Sequence, residues 1–329
     1  MTMGIACLFL LVPLASILSM PELDPYGNTS SATTTTTAGG ATNNEDDFAL
    51  AKRQSLGFFD DIPTAHWKRL QEKVNAMSPN FVEWLVKQVP RNKRYIWFWQ
   101  GHYEPDFVCL HERRIGREAD GGKWICDPHR ITQKVKEGGR CLVYSIGSNN
   151  DFSFEQAVHR SISPECEIHT FDFTDYSEGA KAAGGKIIYH QQGIGMDKKD
   201  RRGEFKSVSR TVEELGHQNR VIDVFKIDCE GCEYETAANW FEAVAKHNIV
   251  IRQIQVELHG LPVEATMEFF DLMYQQGYVI FHKEFNLISI PTKTNLAIEY
   301  AFLKLDTEFV NANPRKKGAA FWKEQQQSF

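Results

Sequence analysis

Short β-branched runs alternate with helical stretches between residues 141 and 258, and this alternation constrains the fold more than any other feature. Strands that alternate with helices form a parallel sheet, because each parallel connection needs a crossover helix. An α/β fold with helices on both faces of the sheet is therefore expected. The predicted strands are Cys141–Ile146, Glu167–Phe173, Lys186–His190, Val221–Asp228 and Ile249–Leu258, and the predicted helices between them are Phe152–Arg160, Tyr176–Ala183, Thr211–Leu215 and Glu233–His247.

The end of the predicted sheet is different. After a helix over Thr266–Gln276, the segments Gly277–Lys283 and Ile298–Leu305 are joined by a connection too short for a crossover helix. They are therefore expected to pair antiparallel at the sheet edge. The predicted fold class is a doubly wound, mainly parallel seven-stranded sheet with a C-terminal antiparallel hairpin. This layout resembles that of class I methyltransferases.

The residues before the sheet predict a secretory protein. Residues 1–20 carry no charged side chain and are typical of a signal peptide or a signal-anchor. Residues 21–47 form a Thr/Ser-rich stretch with an N-glycosylation sequon at Asn28, and we expect a disordered, glycosylated stalk. The protein is therefore expected to be secreted, or anchored by a single transmembrane pass with a lumenal or extracellular domain.

The rest of the chain divides into three predicted parts. Residues 48–137 are expected to form a helical and aromatic extension, residues 138–305 the domain that contains the sheet, and residues 306–329 a flexible tail. The formal net charge of −6 argues against a broad electrostatic contact with nucleic acid. The basic segment Lys198–Lys206 is interpreted as a solvated loop, and contact with a membrane is expected only through an uncleaved leader.

Ligands of open α/β sheets bind beyond the carboxyl ends of the strands, and three predicted strands end in candidate ligand contacts. Gly147 allows a tight turn and a close approach to a ligand, followed by Ser148 and Asn149. Asp172 can accept hydrogen bonds from ribose hydroxyls. The segment that contains Gly193 and Ile194 suits an adenine edge, although a plain loop is an equal alternative.

The strongest motif is Lys226–Glu233, with the sequence KIDCEGCE. Alternation along the strand places Asp228 at the carboxyl edge of the sheet, where Glu230 follows it, and a strand with a purely structural role gains little from these carboxylates. His259 ends the neighbouring predicted strand. Its usual pKa near 6.5 suits a general base. We therefore expect Asp228, Glu230 and His259 to be catalytic; a divalent cation on the same three residues is an alternative, and no metal ligands are assigned.

The motif resembles the K-[IM]-D-x-E-G-x-E signature of FkbM-type methyltransferases. The segments Asp120–Asp127 and Tyr144–Asn149 are similar to those of animal methyltransferase-like proteins, and the resemblance covers roughly residues 95–305. It implies S-adenosylmethionine as the cofactor, with Gly147 and Asp172 as its contacts. We expect further cofactor contacts from Ser148, Asn149, Gly193, Ile194 and Asp228. Cysteines at 229 and 232 depart from the family pattern.

The predicted activity is S-adenosylmethionine-dependent methyl transfer to a hydroxyl of a small molecule or glycan. The alternative from another class is a non-catalytic lumenal or extracellular binding protein on a methyltransferase scaffold. A nicotinamide oxidoreductase is disfavoured because Asn149 stands at the second glycine position of GxGxxG.

The cysteines leave several alternatives open. Six lie beyond the leader, and their pairing does not follow from sequence. For Cys229 and Cys232 we expect buried free thiols, with a local disulfide or a redox couple as alternatives. Zinc would need a second pair of ligands at a suitable spacing.

Overall fold

The strands of the protein follow the predicted alternation closely. The computed structural model describes residues 47–76, 103–118, 120–259, 263–286 and 297–311, all within one unit, Glu45–Phe329. Its strands are β1 Arg113–Ile115, β2 Lys123–Ile125, β3 Leu142–Ile146, β4 Glu167–Asp172, β5 Ile187–Gln191, β6 Gly193–Ile194, β7 Lys198–Asp200, β8 Gly203–Lys206, β9 Val221–Ile222, β10 Val224–Ile227, β11 Val250–Ile251, β12 Gln253–His259, β13 Tyr278–Phe285 and β14 Ala297–Lys304.

The helices within the described ranges connect these strands or precede them. They are α1 Ala49–Gln54, α2 Thr64–Ala76, α3 Pro128–Lys136, α4 Ser153–Ser161, α5 Ser177–Ala183, α6 Val208–Glu214, α7 Glu233–His247, α8 Val263–Gln275 and α9 Thr307–Asn311. None of them is long and apolar enough to cross a membrane. The predicted leader and residues 21–46 of the predicted stalk lie outside the described residues.

The central sheet has seven strands in the order β13-β14-β12-β10-β3-β4-β5. The strands β5, β4, β3, β10 and β12 run parallel, whereas β14 runs antiparallel to both β12 and β13. The predicted fold class and the antiparallel hairpin are therefore confirmed. In the hairpin, β14 lies between β12 and β13, so β13 forms the edge of the sheet.

Both faces of the sheet are covered, which explains why its central strands read as continuous apolar runs. On one face, Phe225 of β10 packs in a core with Trp240 of α7. On the other face, Val143 of β3 belongs to a core that includes Val158 of α4 and Ile131 of α3. The sheet is thus doubly wound, as predicted.

The N-terminal extension packs on the hairpin side of the sheet. Trp67 of α2 is fully buried with Phe107 and Leu303, and its indole donates a hydrogen bond of 2.7 Å to Gln54. The predicted second apolar stripe, at residues 81–89, lies outside the described residues. Of the aromatic run 95–103, the described member is Tyr103, which stacks on Phe270 with ring centroids 3.7 Å apart.

Two segments are more ordered than the sequence suggested. The basic segment predicted as a loop forms the β7–β8 hairpin, and β8 also pairs with β6, because Phe205 packs over Gly193. The first residues of the predicted flexible tail form α9, since Phe309 and Val310 are buried in the core of the extension.

The cysteines are paired, so the expectation of free thiols at Cys229 and Cys232 is wrong. These two form a disulfide at the start of α7, where the Cα atoms are 5.4 Å apart, a separation that a disulfide can bridge. The other two disulfides are Cys109–Cys126 and Cys141–Cys166.

Candidate functional site

A cleft of about 1120 Å³ lies at the carboxyl ends of the parallel strands. It is the position at which ligands bind in open α/β sheets. The cleft is lined by every residue that the sequence nominated for catalysis or cofactor binding: Gly147, Ser148, Asn149, Asp172, Gly193, Ile194, Asp228, Glu230 and His259.

The turn after β3 requires glycine at its first position. Gly147 has φ of +77°, and a Cβ atom there would lie 1.7 Å from the carbonyl oxygen of Asp228. The buried ammonium of Lys226 donates a hydrogen bond of 2.6 Å to the Gly147 carbonyl. Asn149 follows in the left-handed region, with φ of 45°, a conformation that asparagine tolerates. The turn is therefore fixed against β10, with little freedom to move.

The buried carboxylate of Asp172 holds this turn from the β4 side. Its Oδ2 accepts hydrogen bonds of 3.0 Å from the backbone N–H groups of Ser148 and Asn149. Its Oδ1 accepts one from the backbone N–H of Thr174, also at 3.0 Å. A carboxylate oxygen has two lone pairs, so Oδ1 retains the capacity to accept one further hydrogen bond from a ligand.

A buried lysine from the N-terminal extension lies close to Asp228, at the carboxyl edge of the sheet. Lys123 of β2 is 1% exposed, and its ammonium forms an ion pair with Glu299 of β14. The same nitrogen lies 3.4 Å from Glu257 of β12 and 3.7 Å from Asp228. A buried charge is stable only when paired, so the three carboxyl groups and this ammonium form one electrostatic unit.

The charges in this unit are distributed unequally. Burial would lower the pKa of Lys123, but Glu299, Asp228 and Glu257 raise it above its ordinary value, so the ammonium persists. Burial raises the pKa of Glu299 to about 8, although the Lys123 ammonium opposes this rise. Burial opposes ionisation of Glu257 too, but Lys123 and a hydrogen bond from Asn286 lower the pKa of Glu257. Of the two buried glutamates beside Lys123, Glu257 is therefore the more acidic.

His259 lies among carboxylates on both sides of its ring. Its Nδ1 is 3.1 Å from the fully buried Glu233, and its Nε2 lies 3.6 to 3.8 Å from Glu230, Asp228 and Glu257. Burial alone would lower the pKa of His259, but Glu233 and the other carboxylates raise it to about 9. The imidazole is therefore protonated at neutral pH, and in that form it cannot accept a proton from a substrate.

The CxxC disulfide shapes the rim of the cleft beside Asp228. It encloses Glu230, a non-glycine residue with φ of 59°, whose side chain is 81% exposed. The backbone N–H of Cys229 donates a hydrogen bond of 3.1 Å to Glu233. The Glu230 carboxylate is thus presented to solvent at the cleft mouth by a short, cross-linked loop.

The opposite wall of the cleft is formed by the three-stranded sheet β6–β8–β7. Gly193 and Ile194 lie in β6 and contribute backbone and an apolar side chain to the wall. Phe173, which is largely exposed, packs near Phe205 of β8 with ring centroids 5.8 Å apart. The guanidinium of Arg202 lies 4.9 Å from the centre of the Phe205 ring. Apolar and aromatic side chains therefore form this wall, and the basic side chain of Arg202 lies at its edge.

Sequence reasoning missed Lys123 and Glu299 as members of the site. A weak signal existed for both, because each is a charged residue next to apolar residues of a strand, and buried charges need partners. Glu233 was recognised only as part of the motif, and its contact with His259 was not anticipated.

Fold and cleft together define an α/β protein of the class I methyltransferase layout. The chain belongs to a family described as a methyltransferase domain, whose family model matches residues 49–304. No curated protein sequence matches the chain.

Several solved structures are similar to this chain at low identity. A 1,6-didemethyltoxoflavin-N1-methyltransferase of Burkholderia thailandensis, with bound S-adenosylhomocysteine, is 10% identical with a TM-score of 0.33, over 62% of this chain and 100% of that chain. M. jannaschii TYW2 in complex with AdoMet is 11% identical with a TM-score of 0.32, over 60% of this chain and 90% of that chain.

Proposed function

We propose that the protein is an S-adenosylmethionine-dependent methyltransferase that acts on a hydroxyl group of a small molecule or a glycan. The observation that carries this proposal is that the Gly147 turn, Asp172 and the carboxylates Asp228 and Glu230 line the same cleft. Membership of the methyltransferase-domain family supports it. The finer relationship to FkbM-type and animal methyltransferase-like proteins rests on the sequence motif.

The lining of the cleft fits S-adenosylmethionine. The Gly147 turn lines the cleft with backbone, and the free capacity of Asp172 Oδ1 suits a ribose hydroxyl. Phe173 and Ile194 offer apolar surface to a purine. Asp228 complements the positive charge of a sulfonium group. When bound, the cofactor supplies a methyl group that its sulfonium already activates.

The chain's own residues then position the acceptor and receive its proton. Asp228 and Glu230 are placed to accept hydrogen bonds from an acceptor hydroxyl, because both carboxylates line the cleft beside its opening. In this proposal Glu233 orients the protonated His259 ring, whose Nε2 lies near Asp228 and Glu230, and one of these two carboxylates takes the proton. A role of His259 as general base would instead require its deprotonation near pH 9.

Calorimetric titration of S-adenosylmethionine and S-adenosylhomocysteine into the purified protein tests the proposal. We expect micromolar binding that Asp172→Ala weakens at least tenfold, because the turn loses its support. Glu178→Gln, an exposed substitution on α5, serves as the matched control and should leave binding unchanged. Absence of binding by folded protein would refute the enzyme assignment and favour the non-catalytic binding protein.

Activity assays on acceptor libraries then separate binding from catalysis. Asp228→Asn should abolish methyl transfer while retaining the fold, as judged by circular dichroism. If Asp228→Asn methylates as fast as the unaltered protein, the carboxylate does not handle the acceptor.

The proposed location is the secretory pathway. Three disulfides within the described residues support an oxidising compartment, since such bonds are rare in reducing cytosol. Sensitivity of the cell-derived protein to N-glycosidase, with Asn28→Gln as control, tests it.

A further inference from the structure

A second cluster of ionisable side chains lies at the opposite end of the sheet from the cleft. Glu167 begins β4, His169 lies two residues further along it, and His217 follows α6. Asp172 ends the same strand, so at about 3.3 Å per residue Glu167 lies roughly 16 Å from Asp172 along the strand and His169 roughly 10 Å. The cluster is therefore separate from the proposed methyl-transfer site.

The two imidazoles of this cluster point at one atom. The Nε2 atoms of His169 and His217 each lie 3.0 Å from Oε1 of Glu167. Tetrahedral zinc with bonds of about 2.0–2.2 Å spaces its ligand atoms roughly 3.3 Å apart. These two nitrogen–oxygen spacings are within a few tenths of an ångström of this value, and the ligand atoms of the three residues all lie within 4.8 Å of one another, so small movements of the side chains would accommodate an ion.

The outer nitrogens of the same rings are held by further partners. His217 Nδ1 lies 2.7 Å from the hydroxyl of Tyr144, and His169 Nδ1 lies 2.8 Å from Nε2 of His190. Metal-binding histidines usually have their second nitrogen held in this way, which fixes the ring orientation. Arg220 contacts the other oxygen of Glu167 at 2.8 Å.

The environment also suits a bound ion. Both histidine side chains are only 4% exposed, whereas Glu167 is 35% exposed and leaves a side open for water. Two imidazoles and one carboxylate, with a fourth position for water, are a known ligand set for zinc.

The comparable group in the cleft is less suited to a metal. Asp228, Glu257 and His259 could also converge on an ion, but the ammonium of Lys123 already lies 3.4 Å from Glu257 and 3.7 Å from Asp228. A divalent cation there would lie beside a lysine that is shared by two of its ligands. In the Glu167 cluster, Arg220 instead contacts Oε2 of Glu167, whereas the imidazoles face Oε1.

We propose that Glu167, His169 and His217 form a binding site for Zn²⁺ that stabilises the fold and takes no direct part in methyl transfer. On binding, each imidazole shifts its proton from Nε2 to Nδ1, so that Nε2 coordinates the metal. The ion would link β4 to the segment between α6 and β9. Since it binds the folded state, it would raise the midpoint of thermal unfolding.

The test uses the full chain, with Zn²⁺ as the probe. Zinc is measured by mass spectrometry after exhaustive dialysis, and Co²⁺ replacement reports tetrahedral coordination through its visible absorption. We expect about one zinc per chain, lost in His217→Gln and retained in His129→Gln, which removes an exposed histidine. Retention of zinc by Asp228→Asn would exclude the cleft as the zinc-binding site.

A second variant keeps the proposal testable if His217→Gln does not fold. Tyr144→Phe keeps the ring in the core but removes the hydroxyl, and zinc affinity should fall roughly 10- to 100-fold. The proposal is overturned if the folded, unaltered chain binds no zinc, if zinc persists in folded His217→Gln, or if only Asp228→Asn loses it. Equal zinc affinity of Tyr144→Phe and the unaltered chain would overturn it as well.

Discussion

The protonated state of His259 predicts a specific dependence of stability on pH. The surrounding carboxylates, Glu233 above all, raise the pKa of His259 from 6.5 to about 9 in the folded protein. At about 1.4 kcal/mol per pKa unit, this rise corresponds to roughly 3 kcal/mol of stabilisation, and the buried ring needs little correction for solvent. Because the folded pKa is the higher one, the stabilisation is complete below pH 6.5 and is lost as the pH rises through 9.

Urea unfolding between pH 6 and pH 9.5, for the unaltered protein and His259→Gln, measures this contribution. The difference in unfolding free energy between the two should shrink by roughly 3 kcal/mol across this range. A direct check is NMR titration of the imidazole, whose midpoint should lie near 9 and fall toward 6.5 in Glu233→Gln. His129→Gln is the matched control for the loss of a solvent-exposed ring. Parallel pH profiles for the unaltered protein and His259→Gln would refute the reasoning.

Three further predictions concern the cleft. Lys123→Met leaves buried carboxylates without their cation, so the free energy of unfolding should fall by about 3–5 kcal/mol at pH 8 and by less at pH 5. Thermal unfolding at both pH values measures this, and an equal loss of stability at both would contradict the prediction. Gly147→Ala places a Cβ 1.7 Å from a carbonyl oxygen and should weaken S-adenosylmethionine binding more than tenfold in calorimetry, whereas Gly138→Ala, where the space is open, should not. Replacing Cys229 and Cys232 by serine should lower stability by about 2 kcal/mol but reduce methyl transfer far more, and unchanged activity would show that the loop needs no cross-link.

The sheet and the edge of the cleft could be predicted because their signals are local. Apolar runs such as Leu142–Ile146 and Val224–Ile227 identify buried strands, and the hairpin follows from the short connection before β14. The positions of Gly147 and Asp228 follow from strand ends alone. Each of these inferences uses residues within a few positions of one another.

The rest of the site depends on contacts between distant parts of the chain. Lys123 meets Glu257 and Glu299 across 134 and 176 positions, and no local pattern encodes such a pairing. The sequence predicted Asp172 as a contact to a ribose, but it did not reveal that Oδ2 of this carboxylate accepts hydrogen bonds from the backbone of the Gly147 turn. The charge state of His259 depends on four surrounding carboxylates from several elements, and a single strand end could not reveal it.

The position of Lys123 has a consequence for how the protein can be divided. A fragment that begins at residue 138 would contain every strand of the central sheet, yet it would lack the cation that balances the buried carboxyls of β12 and β14. Such a fragment would expose the hairpin surface that Trp67 and Phe107 cover. The segment before the sheet is therefore an integral part of the folding unit, and substitutions in β2 and in the hairpin should be tolerated only as matched pairs.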